Sequence, residues 1–212
     1  MKYPDDYINK IICGDCLEVM KGIPDKSVDL VLTDPPYGLN INYEIYDDSP
    51  EKLKPFIDKF MPELLRIGKK VVLTCGVVNI QKYPAPYWTM VWTYKTTNTT
   101  GKWGFNQWQP ILCYGKDPYL ENCMGRQSDI LDSTEYLRKT TEIHPCEKPM
   151  QTWKKLLARC SVKETDIVLD PFLGSGTTAV ACKQMNRKYI GIEINPKYCE
   201  IAERRLAQEY LF

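Results

Sequence analysis

The stretch DIVLDPFLGSGTTAVACKQMNRKYIGIEINPKYCEIAERRLAQEY, residues 166–210, decides the fold. It begins with a short apolar run that ends in an acid, as a buried parallel strand does. A glycine-rich turn and an alanine-rich helical segment follow. A second apolar run, 189–194, carries an acid near its end, and Asn195-Pro196 predicts the cap and first turn of a helix over 197–210. This strand–helix–strand–helix order predicts a parallel α/β sheet.

The rest of the chain also predicts short strands and helices. Strands are predicted at 8–13, 28–33, 70–74, 87–92 and 110–114, and helices at 16–21, 51–67 and 150–160. Pro55 and Pro62 should interrupt or kink the second of these helices. Residues 117–143 predict an irregular insert. We therefore expect a Rossmann-like, doubly wound, mostly parallel α/β sheet with an antiparallel hairpin strand, in a single domain spanning 1–212.

Composition excludes several classes of protein. A length of 212 residues suits one large domain, and 43% hydrophobic with 26% charged residues are globular values, which exclude a disordered, collagen-like or coiled-coil chain. The apolar runs are too short to span a bilayer, and the acidic N-terminus lacks the apolar segment of a signal peptide. The net charge of +1 gives, by itself, no sign of a nucleic-acid partner.

The nine cysteines are an odd number, which favours reduced thiols in a cytosol over a disulfide framework. Cys13 and Cys16 have the spacing of a redox or zinc pair, but a four-ligand zinc site needs a second such pair, and none exists in the sequence. We interpret Cys13 as the end of a strand and Cys16 as the start of the next helix, and we expect no metal site.

The glycine-rich turn carries the first chemical signal. Glycines at 174 and 176 let the backbone approach a ligand closely, at the start of a helix that attracts polar groups. Glu193 follows Asp170 by 23 residues, at the end of the next strand, where an acid can accept both ribose hydroxyls of a nucleoside. The turn lacks Gly-Lys-Thr, which argues against a nucleotide-triphosphate loop. The glycine-rich turn and Glu193 together predict a nucleoside cofactor.

Asp34-Pro35-Pro36-Tyr37 carries the second signal. It also ends an apolar strand, at the edge where open α/β sheets place their sites. The prolines stiffen the backbone and remove N–H donors, so the segment presents acceptors, while Tyr37 offers a flat face for stacking. This combination suits an exocyclic amine on an aromatic base, although a rigid loop start capped by aspartate is the structural alternative.

Together, Asp34-Pro35-Pro36-Tyr37 and the turn 170–177 resemble the amino methyltransferases of DNA, which use S-adenosyl-L-methionine. His144-Pro145-x-x-Lys148-Pro149 matches a third motif of that family, and the resemblance covers about residues 8–210. The catalytic motif precedes the cofactor motif, as in the circularly permuted β group. The resemblance implies a catalytic site at Asp34, Pro35, Pro36 and Tyr37. It implies cofactor binding by Asp15, Lys148, Asp170, Phe172, Gly174, Ser175, Gly176, Thr177 and Glu193.

The implied reaction is direct methyl transfer to the N6 amine of a flipped-out adenine. Hydrogen bonds to Asp34 and the Pro35 carbonyl would localise the amine lone pair and stabilise the developing positive charge. No covalent intermediate is required. Pro145-Cys146 superficially resembles the nucleophile of cytosine-C5 enzymes, but its place in the motif order argues against that role. A structural or cofactor-side role suits His144 better than that of a general base.

Charge is unevenly distributed, which predicts where DNA binds. Residues 69–116 contain six lysines, no acid and four of the five tryptophans, a mixture suited to phosphates and stacked bases. We expect Trp88, Trp92 and Leu112 to be buried, and the loop 95–104 to face DNA. The insert 117–143 has six acids against three bases and is the expected target-recognition segment. Candidate DNA-contacting residues are Lys95, Lys102, Trp103, Arg126, Arg138 and Lys139.

Several alternatives stay open on sequence alone. Asp34 favours adenine, because cytosine-N4 members more often carry serine there, but both amines need the same chemistry. Relatives that methylate RNA or protein glutamine usually have the opposite motif order, and a non-catalytic DNA-binding module is the alternative from another class. The short insert suits a short target, relaxed specificity or a second subunit. Double-stranded DNA is the implied partner; a homodimer and a restriction endonuclease partner stay open. We expect a cytoplasmic protein of bacterial, archaeal or viral origin.

Overall fold

A computed structural model describes residues 1–41, 43, 45–94, 100–101, 103–133 and 147–208. The strands are β1 Lys10–Cys13, β2 Leu30–Thr33, β3 Val71–Thr74, β4 Trp88–Tyr94, β5 Thr100–Gly101, β6 Gly104–Phe105, β7 Trp108–Tyr114, β8 Ile130–Ser133, β9 Ile167–Asp170 and β10 Lys188–Glu193. The helices are α1 Cys16–Met20, α2 Pro50–Ile67, α3 Pro118–Glu121, α4 Met150–Cys160, α5 Thr177–Gln184 and α6 Pro196–Ala207, with a 3₁₀ helix at Val77–Lys82. No helix in these ranges is long and apolar enough to cross a membrane.

Eight strands form one sheet in the order β1-β10-β9-β2-β3-β7-β4-β8, and β5 and β6 form a separate two-stranded hairpin. All neighbours in the large sheet are parallel except β7, which runs antiparallel to both β3 and β4. The strands β10 and β1 therefore lie on one side of the central pair β2–β9, and the strands β3, β7, β4 and β8 lie on the other. This confirms the predicted mostly parallel, doubly wound sheet with an antiparallel hairpin strand.

Both faces of the sheet are covered. Along β2, Val31 belongs to one hydrophobic cluster, with α1 and α2, while Leu30 and Leu32 belong to another, which includes residues of α4 and α5. Successive side chains of a strand point to opposite faces, so a strand between two helical layers must be apolar at every position. The sequence Leu-Val-Leu-Thr, buried throughout, meets that requirement.

Helix α2 is not interrupted by its two internal prolines. It runs unbroken from Pro50 to Ile67, with Pro55 and Pro62 inside it. Each proline removes one backbone hydrogen bond and was expected to interrupt or kink the helix. Six buried side chains on one face hold the helix against the sheet, and their burial outweighs the lost bonds. These side chains are Leu53, Ile57, Phe60, Met61, Leu64 and Ile67.

The insert 117–143 is less irregular than predicted. Its described part, 117–133, contains α3 and β8, and β8 pairs in parallel with β4 at the edge of the large sheet. Asp117 caps α3 and forms an ion pair with Arg159 of α4. The remainder of the insert lies outside the described residues.

Burial of the tryptophans was predicted only in part. Trp92 and Leu112 are fully buried, as expected. Trp88 was expected in the core but is 59% exposed, because it opens β4 at the sheet margin, where its indole N–H donates to Asp129 3.2 Å away.

Cys13 ends β1 and Cys16 begins α1, and the described residues contain no metal-binding cluster.

Gly176 lets the turn after β9 pack against α6. Its φ is +91°, and a Cβ placed there would lie 2.6 Å from the Cβ of Ala202. Gly176→Ala should therefore lower the free energy of unfolding by about 2–4 kcal/mol, from backbone strain and overpacking together. Urea unfolding without cofactor measures this change.

Gly125→Ala is the matched control, because Gly125 has a φ of +81° and a Cβ added there would meet no atom within 4 Å. It should lose only about 1–2 kcal/mol, from the backbone strain alone. Equal losses in the two variants would contradict the packing role of Gly176.

Candidate active site

A cavity of about 210 Å³ lies at the carboxyl edge of the sheet. Asp34 and Lys148 line one end of it, and Gly174 and Glu193 line the other. The strands β2, β9 and β10 all end at this edge, so parallel topology brings together residues that are far apart in sequence. Asp34 and Pro36 of the predicted catalytic motif therefore line the same cavity as most of the predicted cofactor residues, whereas Pro35 and Tyr37 do not line it.

Asp34 is the most heavily bonded group at its end of the cavity. Its Oδ1 accepts hydrogen bonds from the hydroxyls of Tyr37 and Thr74. Its Oδ2 lies 2.8 Å from Nζ of Lys148, and both side chains are less than one-fifth exposed. The pair was not foreseen, because Lys148 was expected near the carboxylate of the cofactor rather than on Asp34.

Tyr37 is held on several sides. Its backbone carbonyl accepts from the side-chain amide of Asn79 at 2.7 Å, and its hydroxyl accepts from the amide of Gln109 while donating to Asp34. The Nζ of Lys148 lies 5.5 Å from the centre of its ring. Burial, and then the neighbouring Asp34, raise the pKa of Tyr37 well above its usual value. The phenol is therefore neutral and serves as a hydrogen-bond donor.

Asp170 forms the floor of the cavity and is 4% exposed. Its Oδ1 accepts from the hydroxyl of Thr33 at 2.6 Å and from the backbone N–H of Phe172 at 3.0 Å, and its Oδ2 accepts from the hydroxyl of Thr178 at 2.5 Å. Burial raises its pKa to about 6, against the opposing effect of these donors. Asp170 thus ties β2, the turn and α5 together.

Glu193 faces the turn at the other end of the cavity. Its two carboxylate oxygens accept from the backbone N–H groups of Gly174 and Asn195, each at 2.8 Å. Burial raises its pKa, and these backbone donors oppose the rise. A carboxylate oxygen can accept more than one hydrogen bond, so each oxygen keeps capacity for a ligand hydroxyl. Nδ2 of Asn195 is buried and has no hydrogen-bond partner in the described part of the chain.

The remaining predicted cofactor residues line the same cavity or support its wall. Asp15 caps α1 by accepting from the backbone N–H of Leu17 at 2.7 Å. Phe172 packs edge-on against Phe60, with ring centres 5.1 Å apart. Behind the turn, Arg205 donates to the carbonyl and hydroxyl of Ser175 at 2.8 and 2.9 Å and to the hydroxyl of Thr177 at 3.4 Å. Gly176 faces α6 rather than the cavity.

Only two of the six predicted DNA-contacting residues, Trp103 and Arg126, lie in the described part of the chain. Trp103 lies fully exposed between β5 and β6, and Arg126 is exposed in the insert. Lys95, Lys102, Arg138 and Lys139 lie outside the described residues, as do His144, Pro145 and Cys146. Their assignment stays a prediction.

Asp48 is a site residue that the sequence did not reveal. It is 3% exposed, and its carboxylate accepts from the backbone N–H groups of Gly38, Leu39 and Ile41 at 2.7, 2.9 and 3.3 Å. It thereby closes the loop that follows Tyr37. Tyr43, Ile45 and Tyr46 of this loop line the cavity. An acid in an irregular loop just before a helix carries no local signal of this role.

Comparisons with known proteins identify the family of the chain. The family model described as DNA methylase matches residues 80–204, more than half of the chain. The chain belongs to the DNA methylase family. Its members include the N6 and N4 enzymes, as the name of the family model states.

Two curated relatives and one solved structure illustrate the similarity. The Type II methyltransferase M.HpaI of Haemophilus parainfluenzae is 29% identical, over 95% of this chain and 75% of the relative. The DNA adenine methyltransferase YhdJ of Escherichia coli K12 is 30% identical, over 92% and 82%. The M1.HpyAVI–SAM complex shares the fold, with a TM-score of 0.67, 23% identity and coverage of 94% and 99%.

The DNA methylase family depends on S-adenosyl-L-methionine, and the cavity fits that cofactor. The acceptor oxygens of Glu193 suit ribose hydroxyls, and the unpartnered Nδ2 of Asn195 suits an acceptor on a nucleoside. At Gly174, with a φ of +54°, the backbone of the turn comes to the cavity wall without a side chain. When bound, the cofactor supplies an electrophilic methyl group on its sulfonium.

Asp170 should make stability depend on pH. In the unfolded chain its carboxyl ionises near 3.8, whereas in the fold its pKa is about 6, so between these values the native state binds more protons. The contribution of Asp170 therefore falls as pH rises through this window, by roughly 3 kcal/mol in total. The unfolding free energy of Asp170→Asn lacks this fall. The difference in unfolding free energy between wild type and variant, measured from about pH 4 to pH 7, gives the contribution of Asp170 alone. A difference that stays constant or grows with pH would contradict the assignment.

Asp48→Asn should loosen the loop over the cavity. The amide can replace only one acceptor oxygen, so backbone N–H groups that now bond to Oδ2 lose their partner. We expect the Kd for S-adenosyl-L-methionine, measured by calorimetry, to rise about 5- to 50-fold. The exposed neighbour provides the control, since Asp47→Asn should leave this Kd within about twofold. Equal affinities in the two variants would show that Asp48 does not hold the loop.

Proposed function

We propose that this DNA methylase transfers the methyl group of S-adenosyl-L-methionine to the exocyclic N6 amine of adenine in double-stranded DNA. One observation carries the proposal. The carboxylate of Asp34 is fixed by Tyr37 and Thr74 at the wall of the cavity that also contains Glu193. An acceptor for an amine and an acceptor for a ribose therefore line one site.

The chemistry follows from charge. The lone pair of an adenine N6 is delocalised into the ring, so the amine is a poor nucleophile. Hydrogen bonds from the amine to Oδ2 of Asp34 and to the Pro35 carbonyl would localise that lone pair. The fixed negative charge of Asp34 would also stabilise the positive charge that develops on nitrogen. Pro35 and Pro36 have no N–H, so no backbone donor there competes with the amine.

The ammonium of Lys148 can bind either Asp34 or the cofactor. Its ammonium lies 2.8 Å from Oδ2 of Asp34, and both groups border the cavity. We infer that Lys148 turns to hold the carboxylate end of the cofactor and leaves Oδ2 for the target amine. Asp15, Phe172, the turn 174–177 and Glu193 would hold the rest of the cofactor, with Asp170 fixing the turn from below.

The target base must leave the DNA duplex to reach Asp34, because the N6 amine of a base that is stacked in the duplex cannot enter the cavity. The half-buried ring of Tyr37 would stack on the flipped base while its hydroxyl stays on Asp34. Lys95, Lys102, Trp103, Arg126, Arg138 and Lys139 are proposed to contact the DNA around it. We further propose that the enzyme acts in the cytoplasm, as the bacterial origin of its relatives supports.

Cytosine-N4 is the second candidate base, because the same acceptors would serve either amine. Adenine is favoured by Asp34 in the catalytic motif and by the name of the relative YhdJ, a DNA adenine methyltransferase. Labelled S-adenosyl-L-methionine and plasmid DNA distinguish the two bases after digestion to nucleosides. N6-methyladenine is the expected product. N4-methylcytosine without N6-methyladenine would overturn the choice of base, and no label at all would overturn the function.

Asp34→Asn should lower kcat by about 100- to 1000-fold, because the amide puts a donor and no charge where the amine needs an acceptor. Asp34→Ala should lose at least as much. Asp58→Asn makes the same chemical change on the exposed face of α2 and should retain wild-type kcat. Label incorporation that persists in both Asp34 variants would refute the role of this carboxylate.

A further inference from the structure

A chain of polar side chains crosses from the antiparallel part of the sheet to the catalytic carboxylate. It begins at Tyr94, the last residue of β4, whose hydroxyl lies 2.5 Å from Oε1 of Gln109 in β7. Gln109 then contacts the hydroxyl of Tyr37, and Tyr37 contacts Oδ1 of Asp34. Gln109 is 7% exposed in an otherwise apolar strand segment, so its amide has few alternatives to these partners.

The ion pair at the end of the chain fixes the direction of every bond in it. Asp34 faces the ammonium of Lys148 through Oδ2, so it is a carboxylate and can only accept. The proton of the Tyr37 hydroxyl must therefore point at Oδ1. The tyrosine oxygen then offers only lone pairs to Gln109, which must present its Nε2 donor.

The same logic continues away from the site. With Nε2 on Tyr37, Oε1 of Gln109 faces Tyr94 and can only accept, so the Tyr94 hydroxyl donates. An amide has one donor end and one acceptor end, and here each end meets the complementary partner. A carboxylate at position 109 would instead accept from both tyrosines and compete with Asp34 for the Tyr37 proton.

We propose that Gln109 is a positioning residue for methyl transfer. Its amide holds the Tyr37 hydroxyl in the orientation that donates to Oδ1 of Asp34, and this keeps Oδ2 as the oxygen that accepts the target amine. The inference rests on the proposed role of Asp34. It adds that β7, the one strand of the described large sheet that runs antiparallel to its neighbours, contributes to the orientation of the catalytic carboxylate.

Two substitutions at the same position separate orientation from packing. Gln109→Glu preserves size but removes the donor, so the Tyr37 proton is drawn away from Asp34. We expect kcat to fall about 30- to 300-fold in this variant. Gln109→Met also removes the donor but competes for no proton, and about a 3- to 10-fold loss of kcat is expected. A purely structural role predicts the same order of loss in both variants.

Gln184→Glu is the matched control for the same chemical change. Gln184 is half-buried and ends α5, and α5 starts from the site edge, so its last residue lies towards the opposite edge of the sheet. Wild-type kcat is expected for it. The Kd for S-adenosyl-L-methionine, measured by calorimetry without DNA, should stay within about threefold of wild type in both Gln109 variants, since Gln109 does not line the cavity.

The pH dependence provides a second readout. The new carboxyl in Gln109→Glu faces Tyr94 on β4 and Tyr37 beyond β2, with Asp34 and Lys148 behind Tyr37. When this carboxyl is protonated, its O–H can donate to Tyr37 as the native amide does. The ratio of variant to wild-type kcat should therefore rise about tenfold or more between about pH 8.5 and pH 6. The ratio for Gln109→Met should not change.

The outcomes distinguish this inference from the proposed function. If wild type transfers no methyl group, the proposed function fails. If wild type is active and Gln109→Glu keeps wild-type kcat, or loses no more than Gln109→Met at every pH, the positioning role of Gln109 is wrong. Circular dichroism and urea unfolding establish that each variant is folded before its kcat is compared.

Discussion

The hydrogen bond between Thr33 and Asp170 joins the two halves of the site. It spans 2.6 Å in space and 137 positions in sequence, where the central strands β2 and β9 end side by side. Asp34 follows the first of these residues, and the glycine-rich turn follows the second. Because parallel strands present their carboxyl ends at one edge, this bond holds Asp34, the proposed amine acceptor, close to the glycine-rich turn. The rest of the sheet supports that pair.

Three acids that line the cavity, Asp34, Asp170 and Glu193, are stabilised in different ways. Asp34 faces a cation, Lys148, whereas Asp170 and Glu193 are bonded to hydroxyls and backbone N–H groups. Dipolar donors reduce the cost of burying a carboxylate but do not remove it, which is why the pKa values of Asp170 and Glu193 are raised. Among these three acids, the one with a cationic partner is Asp34, to which the proposed function gives a role in the reaction.

Local sequence predicted the elements that carry periodic or capped patterns. Helix α4 has the predicted bounds, and the two strands around the glycine-rich turn, with their acids, lie where expected. The motifs also placed Asp34 and Glu193 at one edge, since topology alone brings strand ends together. Pro55 and Pro62 do not interrupt α2, because a buried helix face outweighs two missing hydrogen bonds, and local propensity carries no information about that face.

The supporting residues of the site could not be predicted in the same way. Gln109 meets Tyr37 across 72 positions and Thr74 meets Asp34 across 40, so no spacing rule connects them. Thr74 did carry a weak signal, as a polar residue that ends an apolar strand next to β2. Trp88 was misplaced because an aromatic residue in a strand does not indicate whether its position is central or marginal.

The edge strand β8 sets a limit on how this enzyme could be re-engineered. Part of the segment that sequence alone assigns to target recognition completes the large sheet, since β8 pairs with β4 and Ser133 bonds to Thr152 of α4 at 2.9 Å. The same segment supplies Asp117 to Arg159 and Glu121 to Lys70. Grafting a foreign specificity segment over 117–143 would therefore remove a structural edge together with any recognition loop. A modular exchange should keep residues up to Ser133 and begin beyond them.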